Sequence, residues 1–216
     1  MTSPQNSDGL DQRSWAHAED FVLPSDAVAA SRQASAALGI EALPTGSAAL
    51  LRVLAASVGA KQVVEVGTGS GTSGLALFEG MSPGGVLTSI DPEADRQAEA
   101  RRAFTTAGIP TSRFRLIAGI PLDVLPRLSD AAYDIVFING DKLEYVEYVA
   151  QALRLLRPGG LLVLNDVLWR NLVADPDNED DEVVIIREAL GAVLESDEVT
   201  PTLLPVGTGL LVAVKN

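Results

Sequence analysis

Cysteine is absent from the chain of 216 residues, which excludes disulfides, zinc–thiolate sites, iron–sulfur clusters and any cysteine nucleophile. Histidine occurs once, at His17, outside every motif described below, and reads as structural or surface. Aromatic residues make up only 5%, so Ala, Val and Leu must fill the interior, which suits a parallel sheet covered by helices. Basic residues are outnumbered: 16 Lys and Arg against 29 Asp and Glu leave a net charge of -13. A nucleic-acid binder needs a basic footprint to displace counterions, and anionic membranes attract polybasic segments. Neither nucleic acid nor membrane is therefore expected as a partner, and the acidity reads as solubility. No apolar run approaches membrane-spanning length, and the opening MTSPQNSDGLDQRSW has no apolar signal core. A cytoplasmic protein is expected.

Hydrophobic residues reach 47% and mean hydropathy is +0.20, enough for a sizeable core. The length suits one α/β domain over residues 1–216, with residues 1–20 partly disordered or an extension. Ala-rich helical spacing runs from Ser25 to Leu38, with Gly39 as a stop, and a second helix follows Pro44-Thr45-Gly46 from about Ser47 to Val58. Short apolar runs then alternate with helical segments. Strands are expected at Val63–Val66, Val86–Ile90, Phe114–Ile117, Tyr133–Ile138 and Gly160–Asn165. Helices are expected near Ser73–Glu79, Glu93–Ala107, Leu122–Leu128 and Leu143–Leu156. This order indicates right-handed βαβ crossovers and a doubly wound sheet. Thr202–Pro205 and Leu210–Lys215 read as an antiparallel hairpin at one edge, and the acidic run Asp175–Glu182 reads as a solvated loop or as a lid after the fifth strand.

In open α/β sheets ligands bind beyond the carboxyl ends of the strands, at the switch point. The first βα turn, Val63 to Gly74, reads VVEVGTGSGTSG. Its glycines let a ligand approach the backbone, with helix amides behind. A dinucleotide fingerprint fits at Gly69, Gly71 and Gly74, but Gly67 is the glycine that ends the strand, and from there the third position falls on Thr72. Asp91, ending the second strand, suits a ribose diol, because a carboxylate can accept from two hydroxyls; NAD and S-adenosylmethionine sites share that feature. Glu65 discriminates between them, since a carboxylate there would repel a pyrophosphate and suits a cationic cofactor. The alternative is a structural acid paired with backbone amides.

VVEVGTGSGTSGLAL resembles motif I of class I S-adenosylmethionine-dependent methyltransferases, and more narrowly of the catechol and caffeoyl-CoA O-methyltransferase family. The block YDIVFINGDKLEYVEYVAQALRLLRPGGLLVLNDVLW, Tyr133 to Trp169, resembles that family's second signature. The resemblance runs from about Ser25 to the C-terminus. It implies a seven-stranded Rossmann-like sheet with the reversed hairpin at one edge, a homodimer, and methyl transfer from S-adenosylmethionine to a hydroxyl of a small, catechol-like acceptor. By position it places Glu65, Gly67, Thr68, Gly69 and Ser73 around the methionine part of the cofactor, Asp91 at ribose, and Gly119 and Ile120 at adenine. A hydroxyl beside a helix N-terminus, as at Ser73, suits a carboxylate, and also suits a plain N-cap.

The family pattern binds a divalent cation such as Mg²⁺ through D-A-D-K after strand four and D-N after strand five. Here the blocks read Asn139-Gly140-Asp141-Lys142 and Asn165-Asp166. The matching positions Asn139, Asn165 and Asp166 offer two amides and one carboxylate, which should weaken binding of a hard cation; the alternative is a hydrogen-bonded polar cluster, with Asn139 facing the cofactor amine. Lys142 matches the lysine that assists as base, an assignment that needs burial or a cationic neighbour to lower its pKa; the alternative is a surface lysine paired with Glu144 or Asp141. Trp15, Phe21 and Trp169 are candidates for the acceptor pocket or for core packing. A nicotinamide-dependent oxidoreductase and a cofactor-binding protein without catalysis remain as the other functional readings.

Overall fold

The computed structural model describes residues 11–216. Seven strands form one sheet: β1 (Gln62–Val66), β2 (Val86–Asp91), β3 (Phe114–Ala118), β4 (Tyr133–Ile138), β5 (Leu156–Asn165), β6 (Val199–Leu204) and β7 (Leu210–Lys215). Their spatial order is β3-β2-β1-β4-β5-β7-β6. The neighbours from β3 to β5 pair in parallel, and β7 runs antiparallel to both β5 and β6. The doubly wound sheet and its edge hairpin match the sequence expectation. The strand order reverses between β1 and β4, so the ligand crevice expected of such sheets opens there.

Period-two alternation sorts the strand residues onto two cores. Val63, Ile135, Phe137, Leu161, Val163, Leu210 and Val212 face one side. There they meet α2 (Asp26–Ala37), α3 (Thr45–Ser57), α4 (Thr72–Gly80) and α5 (Ala94–Thr106). Val64, Val66, Val136, Ile138, Leu162, Leu164 and Leu211 face the other, under α7 (Tyr145–Leu155) and α8 (Asp181–Glu195). The few aromatics are concentrated: Phe104 stacks edge-on against Phe78 and Phe114 at 5.3 Å each. The expected helix near Leu122–Leu128 is a single turn, α6 (Pro121–Val124), followed by a 3-10 turn. Gly39 does end α2, in a left-handed conformation (φ 66°).

Two helices depart from the sequence expectation. The acidic run is a loop only as far as Asp180; Asp181 and Glu182 form the first turn of α8, where negative side chains favour the helix dipole. Residues 1–10 of the stretch expected to be partly disordered or an extension lie outside the described residues; the rest of it contains α1 (Gln12–Glu19), a helix the sequence reading did not place. None of the residues of α1 is buried. It is held instead by directed contacts: Trp15 Nε1 donates to the Pro205 carbonyl (3.1 Å), and Glu19 accepts from the amides of Gly46 (2.7 Å) and Gly207 (3.1 Å). Among the described residues no helix is long and apolar enough to cross a membrane.

Glu19→Ala should therefore release α1. The expected loss is about 1–3 kcal/mol, the scale of hydrogen bonds to a charged group, read by urea unfolding, with faster proteolytic cleavage ahead of α2. Unchanged stability and cleavage would show that α1 is held by something else.

Candidate active site

The loop after β1 crosses the switch point in contact with the backbone of the neighbouring strand. Gly67 sits at φ 90°, and a Cβ there would lie 2.2 Å from the Asn139 carbonyl oxygen. Only glycine fits so close an approach. Gly74, inside α4, lets that helix press on α5: a Cβ would meet Phe104 at 2.5 Å.

Glu65 is fully buried behind this loop. Parity along β1 turns it toward the start of α4, where its two oxygens accept from the hydroxyls of Ser73 and Ser89. The chain of bonds continues: Thr68 and Ser89 share a hydrogen bond at 2.6 Å, and Gln97 Nε2 of α5 donates to Thr68 at 2.8 Å. One carboxylate thus ties together β1, β2, α4, α5 and the loop. Its partners are hydroxyls, not backbone amides. Burial pushes its pKa up to about 7, against the stabilising donation from Ser73 and Ser89. On the outer side of the loop, Ser31 and Ser35 of α2 bond with Ser70 and Thr72 in a second buried hydroxyl cluster.

In front of the loop is a cleft of about 180 Å³ whose lining includes Gly67, Thr68, Gly69, Ser73, Asp91 and Asn139. It adjoins a second of about 490 Å³ that also reaches Ile120, Gly140 and Tyr148. Asp91 belongs to both. Its carboxylate accepts from Gly69 N (3.2 Å) and Glu93 N (3.0 Å), with Arg96 at 3.6 Å. Ile120 is 54% exposed at the cleft edge, whereas Gly119 stands behind it, its amide donating to the Asp91 carbonyl. Glu65 does not line the cleft; it reaches it through Ser73 and, by way of Ser89, through Thr68.

At the ends of β4 and β5, Asn165 Nδ2 donates to Asn139 Oδ1 (2.9 Å), and Tyr145 donates its hydroxyl to the Asn165 carbonyl (2.8 Å). Lys142 is 9% exposed. Its ammonium lies 3.3 Å from Asp166 Oδ2, donates to the Gly140 carbonyl at 3.4 Å, and sits 4.9 and 5.4 Å from the ring centroids of Tyr145 and Trp169. Burial lowers its pKa, and Asp166 opposes that. It is thus neither a surface lysine nor a partner of Glu144. The backbone leaves β5 through left-handed residues at Asp166, Trp169, Arg170 and Asn171, strain of the kind that clusters at functional sites.

These residues do not fit a divalent cation. Mg²⁺ wants an octahedron of hard, largely anionic oxygens. The single carboxylate at the matching positions, Asp166, is already paired with Lys142, and Asn139 and Asn165 offer only neutral amide oxygens there. Asn165 Oδ1 is buried without a partner, an open acceptor that carries no charge for a hard cation. Asn139 and Asn165 form a hydrogen-bonded polar cluster, and Asp166 serves Lys142.

Of the aromatic candidates, Phe21 is 74% exposed and faces His17 rather than the cleft. Trp15 borders a cavity of about 430 Å³ with Leu168, Arg170 and Thr208. Sequence reasoning missed Ser35, Glu41, Ser70, Thr72 and Arg96 in the cleft lining. Ser70 and Thr72 stand inside the glycine motif and were open to notice; Glu41 reaches the cleft through a loop that no motif marks.

The sequence pattern of the O-methyltransferase family matches residues 25–216. A Mycobacterium tuberculosis (strain H37Rv) protein described as a probable O-methyltransferase is 44% identical over 94% of this chain and 90% of its own length. The solved structure of the O-methyltransferase TomG from Streptomyces achromogenes, involved in tomaymycin synthesis and in complex with SAM, is 28% identical over 96% of this chain and all of that one, TM-score 0.84. An O-methyltransferase from Bacillus cereus in complex with SAH is 26% identical over 94% of this chain and 97% of that one, TM-score 0.82.

The raised pKa of Glu65 has a sign. Between about 4.5 and about 7 the folded protein holds a proton that the unfolded chain has lost, so stability falls as pH rises through that window. Relative to Glu65→Gln, the unliganded wild type should lose roughly 3 kcal/mol at most between pH 5 and pH 8. Urea unfolding at the two pH values measures it; parallel curves would place the Glu65 pKa near that of the unfolded chain.

Proposed function

The chain belongs to the O-methyltransferase family, and from that premise we propose that it transfers a methyl group from S-adenosylmethionine to a hydroxyl of a small, catechol-like acceptor, with Lys142 at the acceptor oxygen. The observation that carries this reading is the continuity of the crevice. Its glycine floor at Gly67 and the carboxylate of Asp91 border the same cleft as Asn139, whose side chain bonds to Asn165, next to the Lys142–Asp166 pair.

The residues present fit the cofactor. The space a Cβ would fill at Gly67 leaves the loop backbone open to close approach. Asp91 accepts ribose hydroxyls, Ile120 lies against adenine with Gly119 behind it, and Gly69, Thr68 and Ser73 surround the methionine part, near the first amides of α4. Asn139 and Glu41 supply oxygens for the amine. Glu65 sets the position of Ser73 from behind. When bound, S-adenosylmethionine supplies a methyl on a positively charged sulfur. The protein's part is placement: fixing the acceptor oxygen in line with that methyl supplies most of the gain such a displacement needs. The cavity beside Trp15, Leu168 and Arg170 has the dimensions of a small-molecule site, and α1 forms part of its wall. A homodimer belongs to the same reading, on the resemblance alone.

Isothermal titration with S-adenosylhomocysteine should show one site. Asp91→Ala should weaken it about 10- to 100-fold, since a hydrogen bond to a charged group contributes ~1.5–3 kcal/mol. Lys142→Met should keep cofactor affinity and lose turnover of labelled S-adenosylmethionine on a panel of catechols and hydroxybenzoates. Binding without turnover on the whole panel favours a protein that holds the cofactor without catalysis. Thermal stabilisation by NAD and not by S-adenosylhomocysteine would overturn the proposal in favour of an oxidoreductase.

A further inference from the structure

We propose that the Lys142 ammonium is the resident cation of this site, standing where the family pattern places a divalent metal, and that methyl transfer here needs no metal ion. The inference rests on the methyltransferase reading and concerns how the acceptor oxygen is held.

Three observations converge. The first is the donor set: Asn139 replaces a carboxylate with an amide whose oxygen already accepts from Asn165 at 2.9 Å, and Asn165 adds only a second neutral amide where a hard cation wants charged oxygen. The second is charge. Lys142 and Asp166, 3.3 Å apart, balance each other. A divalent ion added beside them would meet no unpaired carboxylate at the matching positions, with Asp141 and Glu41 acting only from further off, whereas a carboxylate at position 139 would face it directly. The third is the construction around the lysine. Asp166, the Gly140 carbonyl and the faces of Tyr145 and Trp169 all favour a positive charge. Asp141, the other carboxylate in the motif, caps the next turn through the Leu143 amide at 3.0 Å. Asp166 and the Gly140 carbonyl can take two of the three ammonium donors, which leaves one for an acceptor oxygen.

The chemistry balances without a metal. The acceptor hydroxyl gives its proton to solvent water, and the resulting oxyanion is held by the third donor of Lys142. An electron pair on that oxygen forms the new O–C bond as the S–C bond breaks. The pair from the broken bond returns to sulfur, which becomes a neutral thioether. Lys142 keeps its three protons through this step, beside Asp166, so the oxyanion faces a positive charge as it would at a metal.

Electron paramagnetic resonance of Mn²⁺ titrated into the protein loaded with S-adenosylhomocysteine tests this directly, because bound Mn²⁺ loses its sharp free-ion signal. The wild type should leave the signal undiminished up to about 1 mM, the weak end of oxygen-ligand sites. The triple variant Asn139→Asp, Asn165→Asp, Asp166→Asn, which restores the family pattern, should attenuate it, and Asn139→Asp alone should do so more weakly. Attenuation by the wild type at tens of micromolar overturns the proposal. So does a signal left intact by all three proteins, because these positions would then not be what separates this site from a metal site. Calorimetry of S-adenosylhomocysteine on the same samples keeps the two levels apart: failure of the wild type to bind it sinks the methyltransferase reading, while binding it together with Mn²⁺ sinks only this inference.

Discussion

A carboxylate sealed from water beneath a glycine loop organises this protein. Glu65 lies where β1 ends, at a position that parity assigns to the apolar face, and satisfies both oxygens with hydroxyls of α4 and β2. Burying an ionisable group is expensive unless it is hydrogen-bonded, so the geometry of its partners is tightly constrained. Ser73 fixes the first turn of α4. Ser89 and Thr68, reached in turn by Gln97, fix the loop against β2 and α5. Gly67 can then lie against the Asn139 backbone without a side chain between them. The crevice at the switch point exists because this knot holds its floor open.

The two ends of the crevice use charge differently. Near Asp91 a carboxylate is pre-paid by backbone amides from Gly69 and Glu93, so it can accept further donors at little cost of reorganisation. Near Lys142 the charge is a cation walled by aromatic faces and balanced by one acid. In the proposed reaction, the acceptor oxygen that becomes anionic meets that positive charge. Strained backbone from Asp166 to Asn171 is the cost of bringing Asp166 and Trp169 to that lysine on one short turn.

Much of this was legible in the sequence, for identifiable reasons. Parallel strands buried on both faces are continuous apolar runs, and Val63–Val66, Tyr133–Ile138 and Gly160–Asn165 announce themselves. β5 begins earlier, at Leu156, because it passes through an irregularity around Arg157–Gly160 where pairing with β4 slips. α1 was not legible: it buries nothing, and Trp15 and Glu19 find partners some 190 and 27 residues away. α8 was legible and missed, since Val183, Ile186, Ala189 and Val193 carry helical spacing behind an acidic run that looked like loop to its end. At the site, the glycines and Asp91 follow from local chemistry. The depth of Lys142 does not, because it depends on Tyr145, Asp166 and Trp169 arriving from separate turns.

In the proposed reading, one crevice floored by Gly67 holds the methyl donor, with Asp91 at its ribose and Lys142 at the acceptor oxygen. A crystal structure with S-adenosylhomocysteine bound tests it most directly. The ribose hydroxyls should sit on the Asp91 carboxylate, the adenine against Ile120 and the thioether facing the Lys142–Asp166 pair, with Glu65 still buried on Ser73 and Ser89. A ligand seated elsewhere, or one that draws Glu65 out from under the loop to contact it, would contradict the account.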